Sequence, residues 1–374
     1  MTAATEPPVL ANDRAWMARA LELAELGLNT TDPNPRVGCV LVRDGRVIGE
    51  GWHARAGEPH AEVLALRAAA GDTQGSTAYV TLEPCNHTGR TPPCADALIA
   101  AGVHRVVCAS VDPNPKVAGA GLRRLTAAGI LVSAGLLEDA ARALNPGFFS
   151  RFERGRPFVR LKLAMSLDAR TAAAGAAGGW ITGRAAREDV QRWRARSSAV
   201  MTGAGTVRSD DPRLDVRLAY GPWIRQPLRV ILDPALTCAP QAKIFKGGSY
   251  LVFAAPDARP QAALDERTRR VPRVPRGLDL RAVLDALTDL EINELLVECG
   301  PRLAAALLEA DLVDELVLYV APHFLGADAP PLASLTGLKD PGPPPHFEYF
   351  EQRLIGDDLR LRLIPRKERT CSPD

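Results

Sequence analysis

The pattern of hydrophobic and polar positions along the first 145 residues alternates between the spacing of helices and that of strands. The sequence therefore predicts alternating helices and strands. Apolar side chains recur at helical spacing after Asp13, a candidate N-cap, until the pattern breaks at 30–35. Two apolar runs then flank Asp44-Gly45, a dipeptide typical of a two-residue hairpin turn. Beyond the hairpin the sequence predicts helices over 60–70, 94–101, 119–128 and 137–145, and strands over 77–82, 105–111 and 130–135. This order indicates a layered α/β domain with a hairpin at one side.

The pattern restarts after Pro, Gly and charged residues interrupt it near residue 150, and we expect a domain boundary there. The sequence therefore predicts one domain at 11–150 and a second at 155–366. The second half is again mixed, with strands predicted at 158–167, 229–233, 249–255, 294–300 and 315–322, and helices at 184–196 and 302–310. Residues 256–280 are polar and rich in Pro and Arg, which predicts a surface loop, and 339–347 predicts a turn.

Length and composition agree with two globular domains. The 374 residues exceed what one ordinary core accommodates, and 46% hydrophobic and 24% charged residues are ordinary usage. A net charge of +2 gives no basic field for nucleic acid or an anionic membrane. No segment has eighteen uninterrupted apolar residues and the N-terminus has no signal-peptide pattern, so we expect a cytoplasmic enzyme. Seven cysteines, an odd number, argue against a disulfide framework and predict reduced thiols that are free to bind metal.

Candidate metal ligands occur where predicted elements begin or end. His60 lies at the start of one predicted helix, Cys94 at the start of another, and Cys85 at the end of a strand. The partial positive charge of a helix N-terminus favours thiolate over thiol, which prepares Cys94, and with it Cys85, for zinc. Three such ligands leave the fourth tetrahedral position to water, whose pKa zinc lowers to roughly 7. Glu62, two residues after His60, is then placed as a catalytic base.

A closed structural zinc site is the alternative that these ligand types leave open. Its fourth ligand would be Cys39, His53 or His87. Such a site gives Glu62 no role, which favours the open, catalytic arrangement.

The segment around the two cysteines resembles one family of zinc deaminases. The general deaminase pattern is H-x-E, then Pro-Cys, with a second cysteine three residues later. Here the second cysteine ends the longer segment PCNHTGRTPPC, which closely resembles the deaminase half of the bifunctional riboflavin-biosynthesis deaminase–reductases, with Asn86 in place of the usual serine. PNPRVG at 33–38, GWH at 51–53 and DPNP at 112–115 match further motifs of that family. The resemblance implies a pocket for pyrimidine and ribose phosphate lined by Asn34, His53, His87, Arg90, Asp112 and Asn114.

Three features of the second half point to a separate site. Lys162 lies in an otherwise apolar strand. Its ammonium group therefore either reaches solvent at the end of the strand or points into a binding site. Arg194, on a predicted helix, precedes an apolar strand and a Gly-rich bend at 203–205. Glu298 lies near the end of a strand, and Gly300 leads into a helix start of the kind that suits phosphate.

The order and spacing of these features resemble the reductase half of the same family, whose fold is similar to that of dihydrofolate reductase. Matching motifs occur at 162–170, 180–182 and 206–217. The match implies that NADPH contacts a turn and helix at 300–306, including Gly300, Pro301 and Arg302. It implies further NADPH contacts at Ala164, Trp180, Thr206 and Asp210. It places sugar-phosphate contacts at Lys162, Gly178, Arg194, Leu214, Arg217 and Glu298. Gly178 replaces the serine of the family near the substrate, and Ala169 replaces a glycine.

The resemblance covers residues 13–366 and implies an N-terminal cytidine-deaminase-like layered domain and a C-terminal dihydrofolate-reductase-like domain. It implies Zn²⁺ and NADPH as cofactors. The implied reactions are loss of the amino group at pyrimidine C2 of a diamino-ribosylamino-pyrimidinone phosphate, then reduction of the ribosyl chain to ribityl. We expect a homo-oligomer formed through the reductase domain, with no nucleic-acid or membrane partner. Two alternatives stay open: a nucleobase or tRNA deaminase with an unrelated C-terminal domain, and a non-catalytic, zinc-stabilised nucleotide-binding scaffold.

Overall fold

A computed structural model describes residues 12–86, 92–171, 180–218, 225–336 and 346–366. Its internal contacts divide the chain into two units, Met1–Gly155 and Arg156–Asp374. Within the described ranges, no helix has the length and apolar character that crossing a membrane requires. Each unit has its own sheet and its own core.

The first unit consists of one five-stranded sheet with helices on both faces. Its helices are α1 (Asp13–Glu25), α2 (Ala61–Ala68), α3 (Cys94–Ala100), α4 (Ala120–Ala127), α5 (Glu138–Leu144) and α6 (Pro146–Arg154). Its strands are β1 (Gly38–Arg43), β2 (Arg46–Trp52), β3 (Thr77–Val80), β4 (Arg105–Cys108) and β5 (Leu131–Ala134). The strand order is β2-β1-β3-β4-β5, in which β1 is antiparallel to both neighbours and β3, β4 and β5 are parallel.

The hairpin and the strand periodicity of this unit are confirmed. Asp44 and Gly45 both have positive φ, 51° and 72°, which is the backbone of the tight turn predicted from this dipeptide. Alternate residues of β1 enter opposite cores. Leu41 packs with α2, α3 and α4, whereas Val40 packs with Met17 of α1 and with α5.

Two details of the first unit differ from the sequence prediction. Asp13 does not cap α1, because Asn12 holds that position and the buried Asp13 carboxylate instead pairs with Arg105 at 2.7 Å and accepts a hydrogen bond from Tyr79 at 2.6 Å. The segment expected to interrupt the periodicity near residue 150 is helix α6. Pro146 lies at its first position, where a missing N–H costs nothing, so proline starts this helix.

The second unit contains a nine-stranded sheet and a small hairpin. Its helices are α7 (Arg184–Arg196), α8 (Ala204–Asp210), α9 (Leu280–Thr288) and α10 (Pro301–Glu309). Its strands are β6 (Phe158–Ser166), β7 (Ala199–Gly203), β8 (Leu228–Leu232), β9 (Tyr250–Ala254), β10 (Thr268–Arg270), β11 (Arg273–Val274), β12 (Gly277–Leu278), β13 (Glu294–Glu298), β14 (Glu315–Ala321), β15 (Phe347–Ile355) and β16 (Asp358–Pro365). Strands β11 and β12 form the hairpin.

The large sheet has the order β10-β9-β8-β7-β13-β6-β14-β16-β15. All neighbours from β10 to β14 are parallel, and β16 and β15 add an antiparallel hairpin at one end. The loop predicted at 256–280 is partly wrong, because it contains strands β10, β11 and β12. The expected turn at 339–347 lies largely outside the described residues.

A buried ion-pair network lies where three adjacent strands of this sheet, β13, β6 and β14, begin. Arg160 of β6 donates to Glu294 of β13 at 2.9 Å and to Glu315 of β14 at 2.8 Å, and all three side chains are at most 3% exposed. Arg196 and Arg362 add further bonds to the two carboxylates. Each charge in the network therefore has a partner, as a buried charge requires.

Candidate functional site

Three ligand-type side chains meet in the first unit. His60 is the N-cap residue of α2, Cys94 is the first residue of α3, and Cys85 lies in the segment that follows β3. His60 Nδ1 is 3.2 Å from Cys94 Sγ and 3.6 Å from Cys85 Sγ, and the three ligand atoms lie within 4.8 Å of one another. One imidazole and two sulfurs at this spacing fit a tetrahedral zinc ion, which prefers nitrogen and sulfur ligands.

The two sulfurs of this group are close enough to shift each other's pKa. Hydrogen bonding from the Cys94 side chain, and then from His60, lowers the pKa of the Cys85 thiol to about 4. The pKa of Cys94 is raised well above its usual value, because its thiol faces the Cys85 sulfur and is buried. The backbone N–H of Cys94 also lies 3.4 Å from Cys85 Sγ, a contact that favours negative charge on this sulfur.

Glu62 lies in the first turn of α2 beside this group. Its side chain is buried, and burial raises the pKa of its carboxyl to about 7, against an opposing effect of His60. An acid with a pKa near neutrality can both accept and return a proton under ordinary conditions. The position predicted for a catalytic base is thus next to the predicted ligands.

The closed structural site receives no support from the described residues. Among them, no fourth His, Cys, Asp or Glu joins the three ligands. His53 Nδ1 lies 3.2 Å from the carbonyl of Pro59 and its Nε2 lies 3.1 Å from Asn34 Nδ2, so both ring nitrogens have other partners. Cys39 is packed in the core of the first unit, where burial raises the pKa of its thiol well above the usual value. His87 lies outside the described residues.

The contacts of His53 fit one protonation state. A carbonyl at Nδ1 and the Asn34 amide nitrogen at Nε2 suit a neutral ring with the proton on Nδ1, in which Nε2 accepts from Asn34. Burial lowers the pKa of His53, which favours the same neutral form. The ring of His53 also packs edge-on against that of His60, with centroids 5.3 Å apart. Two predicted substrate residues, Asn34 and His53, are therefore adjacent to the metal ligands.

The DPNP motif forms a loop after β4. Asp112 is buried, and burial raises the pKa of its carboxyl to about 6. Its Oδ1 accepts the backbone N–H of Asn114 at 2.8 Å, and Asn114 Oδ1 accepts that of Lys116 at 3.1 Å. The sequence analysis did not identify Glu83, whose carboxylate accepts hydrogen bonds from this loop. Arg90, like His87, lies outside the described residues.

The second site forms where β6 and β13 run side by side. Lys162 and Glu298 are register partners on these strands, and Arg194 of α7 binds Glu298 through two hydrogen bonds of 2.5 and 2.9 Å. Burial would raise the pKa of Glu298, but Arg194, then Lys162 and Arg217, hold it below its usual range. Burial also lowers the pKa of Lys162, whose Nζ lies 5.7 Å from the centre of the Tyr319 ring.

The structure brings together four of the six predicted sugar-phosphate residues. Lys162, Arg194 and Glu298 are three of them, and Arg217 is the fourth, because its charge helps to lower the pKa of Glu298. The guanidinium of Arg217 forms an ion pair with Asp215. Leu214 is buried with a φ of 51°, and no described contact joins it to the other four. Gly178 lies outside the described residues.

Residues expected to bind NADPH lie around two helix starts. Gly300 is the N-cap residue of α10, and a Cβ added there would lie 3.9 Å from Thr206 Oγ1 on α8. A cavity of about 570 Å³ adjoins these helices and is lined by Gly203, Arg302 and Leu303, among others. The β11–β12 hairpin forms another wall of the cavity, which the sequence analysis missed because it read this polar segment as a loop.

Only some of the remaining residues predicted to bind NADPH lie near these helix starts. Ala164 lies on β6 opposite Tyr319 of β14, and Pro301 is the first residue of α10. Trp180 is 75% exposed, with the guanidinium of Arg187 4.8 Å from its ring centre. Asp210 ends α8 at the surface. No described contact joins Trp180 or Asp210 to Gly300.

The two sites define a class of enzyme. A buried carboxylate beside a group of nitrogen and sulfur ligands is suited to hydrolytic deamination. A cluster of cationic side chains around Glu298, close in sequence to the helix start at Gly300, is suited to binding the phosphates of a substrate and a dinucleotide. Both halves match known domains accordingly. Residues 10–110 match the cytidine and deoxycytidylate deaminase zinc-binding region, and residues 157–361 match the RibD C-terminal domain.

Whole-chain comparisons identify the family. The chain is 49% identical over 366 residues to the riboflavin biosynthesis protein RibD of Escherichia coli (strain K12), which covers 94% of this chain and 99% of that protein. It is similar to the solved Acinetobacter baumannii RibD, form 1, with 44% identity, a TM-score of 0.87 and coverage of 95% and 99%. It is also similar to a Thermotoga maritima structure described as a diaminohydroxyphosphoribosylaminopyrimidine deaminase/5-amino-6-(5-phosphoribosylamino)uracil reductase, with 33% identity, a TM-score of 0.83 and the same coverage.

The chain belongs to the RibD family of riboflavin biosynthesis proteins. It is a bifunctional enzyme with a zinc-binding deaminase domain and an NADPH-dependent reductase domain. The predicted class of fold, the two activities and the two cofactors are therefore confirmed.

Proposed function

We propose that residues 11–150 deaminate, and residues 155–366 reduce, successive forms of one pyrimidine ribose phosphate. The first step removes the C2 amino group of 2,5-diamino-6-ribosylamino-4(3H)-pyrimidinone 5′-phosphate, and the second converts the ribosyl chain to ribityl. The observation that carries the proposal is the group of His60, Cys85 and Cys94 beside the buried Glu62. The substrates named in the description of the Thermotoga maritima protein support the same pair of reactions.

In the proposed deaminase reaction, His60, Cys85 and Cys94 hold zinc, which when bound activates a water molecule as a nucleophile. Glu62 takes one proton from the attacking water and delivers it to the ring nitrogen. It then transfers the second proton, that of the added hydroxyl, to the leaving amine, which departs as ammonia. Burial of the Glu62 carboxyl group, which disfavours the charged form, helps it to hold the proton between the two transfers. The substrate is bound by Asn34, His53, Asp112 and Asn114, which hold its ring and ribose phosphate in place. His87 and Arg90 complete this proposed pocket.

In the proposed reductase reaction, NADPH supplies the hydride, and the side chains orient the sugar. Arg194 holds Glu298 in one orientation through two hydrogen bonds, so Glu298 presents a fixed acceptor toward a sugar hydroxyl. Lys162 provides a cation at the same place, and Arg217 provides a fork-shaped donor for phosphate. The proposed contacts to NADPH are Ala164, Trp180, Thr206, Asp210, Gly300, Pro301 and Arg302. Gly178 and Leu214 complete the proposed sugar site.

Two alternatives are weighed against this proposal. The match of residues 157–361 to the RibD C-terminal domain argues against a nucleobase or tRNA deaminase with an unrelated second domain. A non-catalytic scaffold has no use for a buried carboxylate that adjoins a metal site, because burying an unpaired acid is costly.

The deciding experiment measures metal content and turnover on one preparation. We expect one zinc per chain, release of ammonia from the diamino substrate without NADPH, and NADPH oxidation only once the deaminated product is present. Cytosine, guanine and tRNA adenosine serve as competing substrates and should release no ammonia. Ammonia from any of these at a comparable rate, or none from the pyrimidine phosphate, would reject the proposal.

The oligomer proposal concerns β15, which ends the nine-stranded sheet. This strand pairs with β16, and no second neighbour occurs among the described strands. Its outer residues include Tyr349 at 65%, Phe350 at 56% and Leu354 at 71% exposure. An open, aromatic edge of nine residues is suited to association with a second copy. We propose a dimer formed through this edge, which analytical ultracentrifugation should detect in wild type and which Leu354→Glu should convert to monomer. A mass equal to that of wild type would exclude this edge as the interface.

We also propose that the protein works in the cytoplasm. Six cysteines in the described residues are free, including the two metal ligands. A reducing compartment keeps such thiols available for zinc.

A further inference from the structure

Glu83 is a buried residue of the first unit to which neither the motifs nor the proposed chemistry gives a role. It lies two positions before the metal ligand Cys85, and its side chain is 4% exposed. Four backbone N–H groups donate to its carboxylate. Those of Asp112 and Gly119 reach Oε2 at 3.1 and 2.8 Å, and those of Gly121 and Leu122 reach Oε1 at 2.8 and 3.3 Å.

Glu83 caps α4 from another part of the chain. The N-cap residue of α4 is Gly119, which has a φ of 80° and no side chain that could accept a hydrogen bond. The first N–H groups of a helix lack partners within the helix and carry partial positive charge. The Glu83 carboxylate accepts three of these N–H groups, so it supplies the acceptor that Gly119 lacks.

The same carboxylate closes the loop that carries the DPNP motif. Its Oε2 accepts N–H groups from the first and the last residue of the segment 112–119, so one atom joins the two ends. Between these ends, the Asp112 and Asn114 side chains accept N–H groups of the loop itself. The orientation of both side chains therefore depends on the loop conformation that Glu83 fixes.

Close packing joins this loop and helix to the metal-ligand segment. A Cβ added at Gly121 would lie 1.9 Å from the carbonyl oxygen of Pro84, so the first turn of α4 contacts the chain immediately before Cys85. Glu83 and Pro84 thus connect three parts of the first unit: the Cys85 segment, the 112–119 loop and α4.

We propose that Glu83 is a positioning residue for the substrate of the deaminase site, acting through Asp112 and Asn114. The inference rests on the proposed function of the first unit. Glu83 is bonded to the main chain of the loop, whereas Asp112 and Asn114 contact the substrate. Loss of the carboxylate should therefore weaken substrate binding more than it slows the chemical step at Glu62.

The test is Glu83→Gln in the full, zinc-loaded chain. Glutamine keeps the size of the side chain but directs an NH₂ group at two N–H donors. Since a hydrogen bond to a charged group corresponds to about tenfold or more in an equilibrium constant, the KM for the diamino substrate should rise at least about tenfold. We expect kcat within about threefold of wild type, one zinc per chain, and unchanged reduction of the deaminated intermediate.

Asp13→Asn is the matched control. Asp13 is an equally buried carboxylate of the same unit, but it pairs with Arg105 and Tyr79. The control should lower the melting temperature without changing KM. Hydrogen–deuterium exchange of peptides covering 112–122 should become faster in Glu83→Gln and stay at the wild-type rate in Asp13→Asn.

The proposal fails if Glu83→Gln has the wild-type KM and exchange, or if Asp13→Asn raises KM by the same factor. Should the glutamine variant not fold, Glu83→Asp, which keeps the charge on a shorter side chain, is measured in the same way. If wild-type protein releases no ammonia from this substrate, the proposed function is wrong, and the exchange measurement still decides whether Glu83 fixes the loop.

Discussion

Glu62 is the residue for which the structure makes the sharpest functional prediction. Glutamine at this position preserves size and one hydrogen-bonding oxygen, but it cannot take up the proton of the attacking water. Glu62→Gln should therefore keep one zinc per chain and lose deamination by roughly 100- to 10,000-fold. Ammonia release and metal content measured on the same sample check this, with the exposed Glu58→Gln as a control of wild-type rate. Near wild-type turnover by Glu62→Gln would refute the proton-transfer role.

The three ligand residues give a second prediction at this scale. His60→Ala, Cys85→Ser and Cys94→Ser should each lose zinc, because two remaining ligands do not hold the ion tightly. Cys108→Ser is the matched control, since Cys108 is a buried thiol of the same unit that donates to the carbonyl of Ser110. Elemental analysis after dialysis should show zinc in this control alone. Stoichiometric zinc in any of the first three would remove that residue from the site.

Local chemistry made some residues predictable and others not. The grouping of His60, Cys85 and Cys94 could be predicted from the sequence because the three ligand types occur together, each where an element begins or ends. Glu83 could not, because its partners are backbone N–H groups 29 to 39 positions later, and a backbone donor has no sequence signature.

At the scale of elements, Arg160 joins the adjacent strands β13, β6 and β14. Arg160→Leu would leave Glu294 and Glu315 buried with one fewer partner each, and removing one member of a buried network costs about 3 kcal/mol. Chemical unfolding of the full chain, followed by a signal from the second unit, should show this loss in the free energy of unfolding.

Arg184→Leu is the control for this measurement. Its ion pair with Glu188 is on the surface, where water competes with the contact, so its unfolding midpoint should match that of wild type. Equal loss in both variants would mean that the buried network contributes no more than a surface pair.

Buried, apolar elements could be predicted from the sequence, whereas short polar elements could not. Strands such as β8, β9 and β13 were predicted because parallel strands covered on both faces are continuous apolar runs. The short strands β10 and β11 were missed because they are polar and at the margin of the fold, where little apolar area is buried. Helix α6 was missed because Pro146 was taken to interrupt a helix that it begins.

At the scale of the whole molecule, the two activities should be separable by substitution. All three proposed zinc ligands precede residue 95, and the described residues of the proposed second site follow residue 160, in a different unit. Lys162→Met keeps the length of the side chain and removes its charge from the pocket that contains Glu298. It should lower NADPH oxidation by about 100-fold or more while ammonia release continues at the wild-type rate.

Each activity is assayed from its own substrate, the diamino compound for deamination and the deaminated intermediate for reduction. Lys243→Met, which removes an exposed lysine of the same unit, should leave both activities unchanged. Equal loss of both activities in folded Lys162→Met protein would indicate one shared site and overturn the assignment of the two domains.

The close contact of Gly121 with Pro84 limits which mutations of the Gly121 codon the protein tolerates. The φ angle of Gly121 is not positive, so its backbone conformation does not require glycine. The restriction comes from close neighbours, above all the Pro84 carbonyl oxygen. Every amino acid reached from a glycine codon by a single base change carries a Cβ, and that atom would overlap this oxygen. No single-nucleotide missense change at this codon should therefore preserve the contact between α4 and the Cys85 segment. In cells that must make their own riboflavin, such alleles should be lost from a growing population.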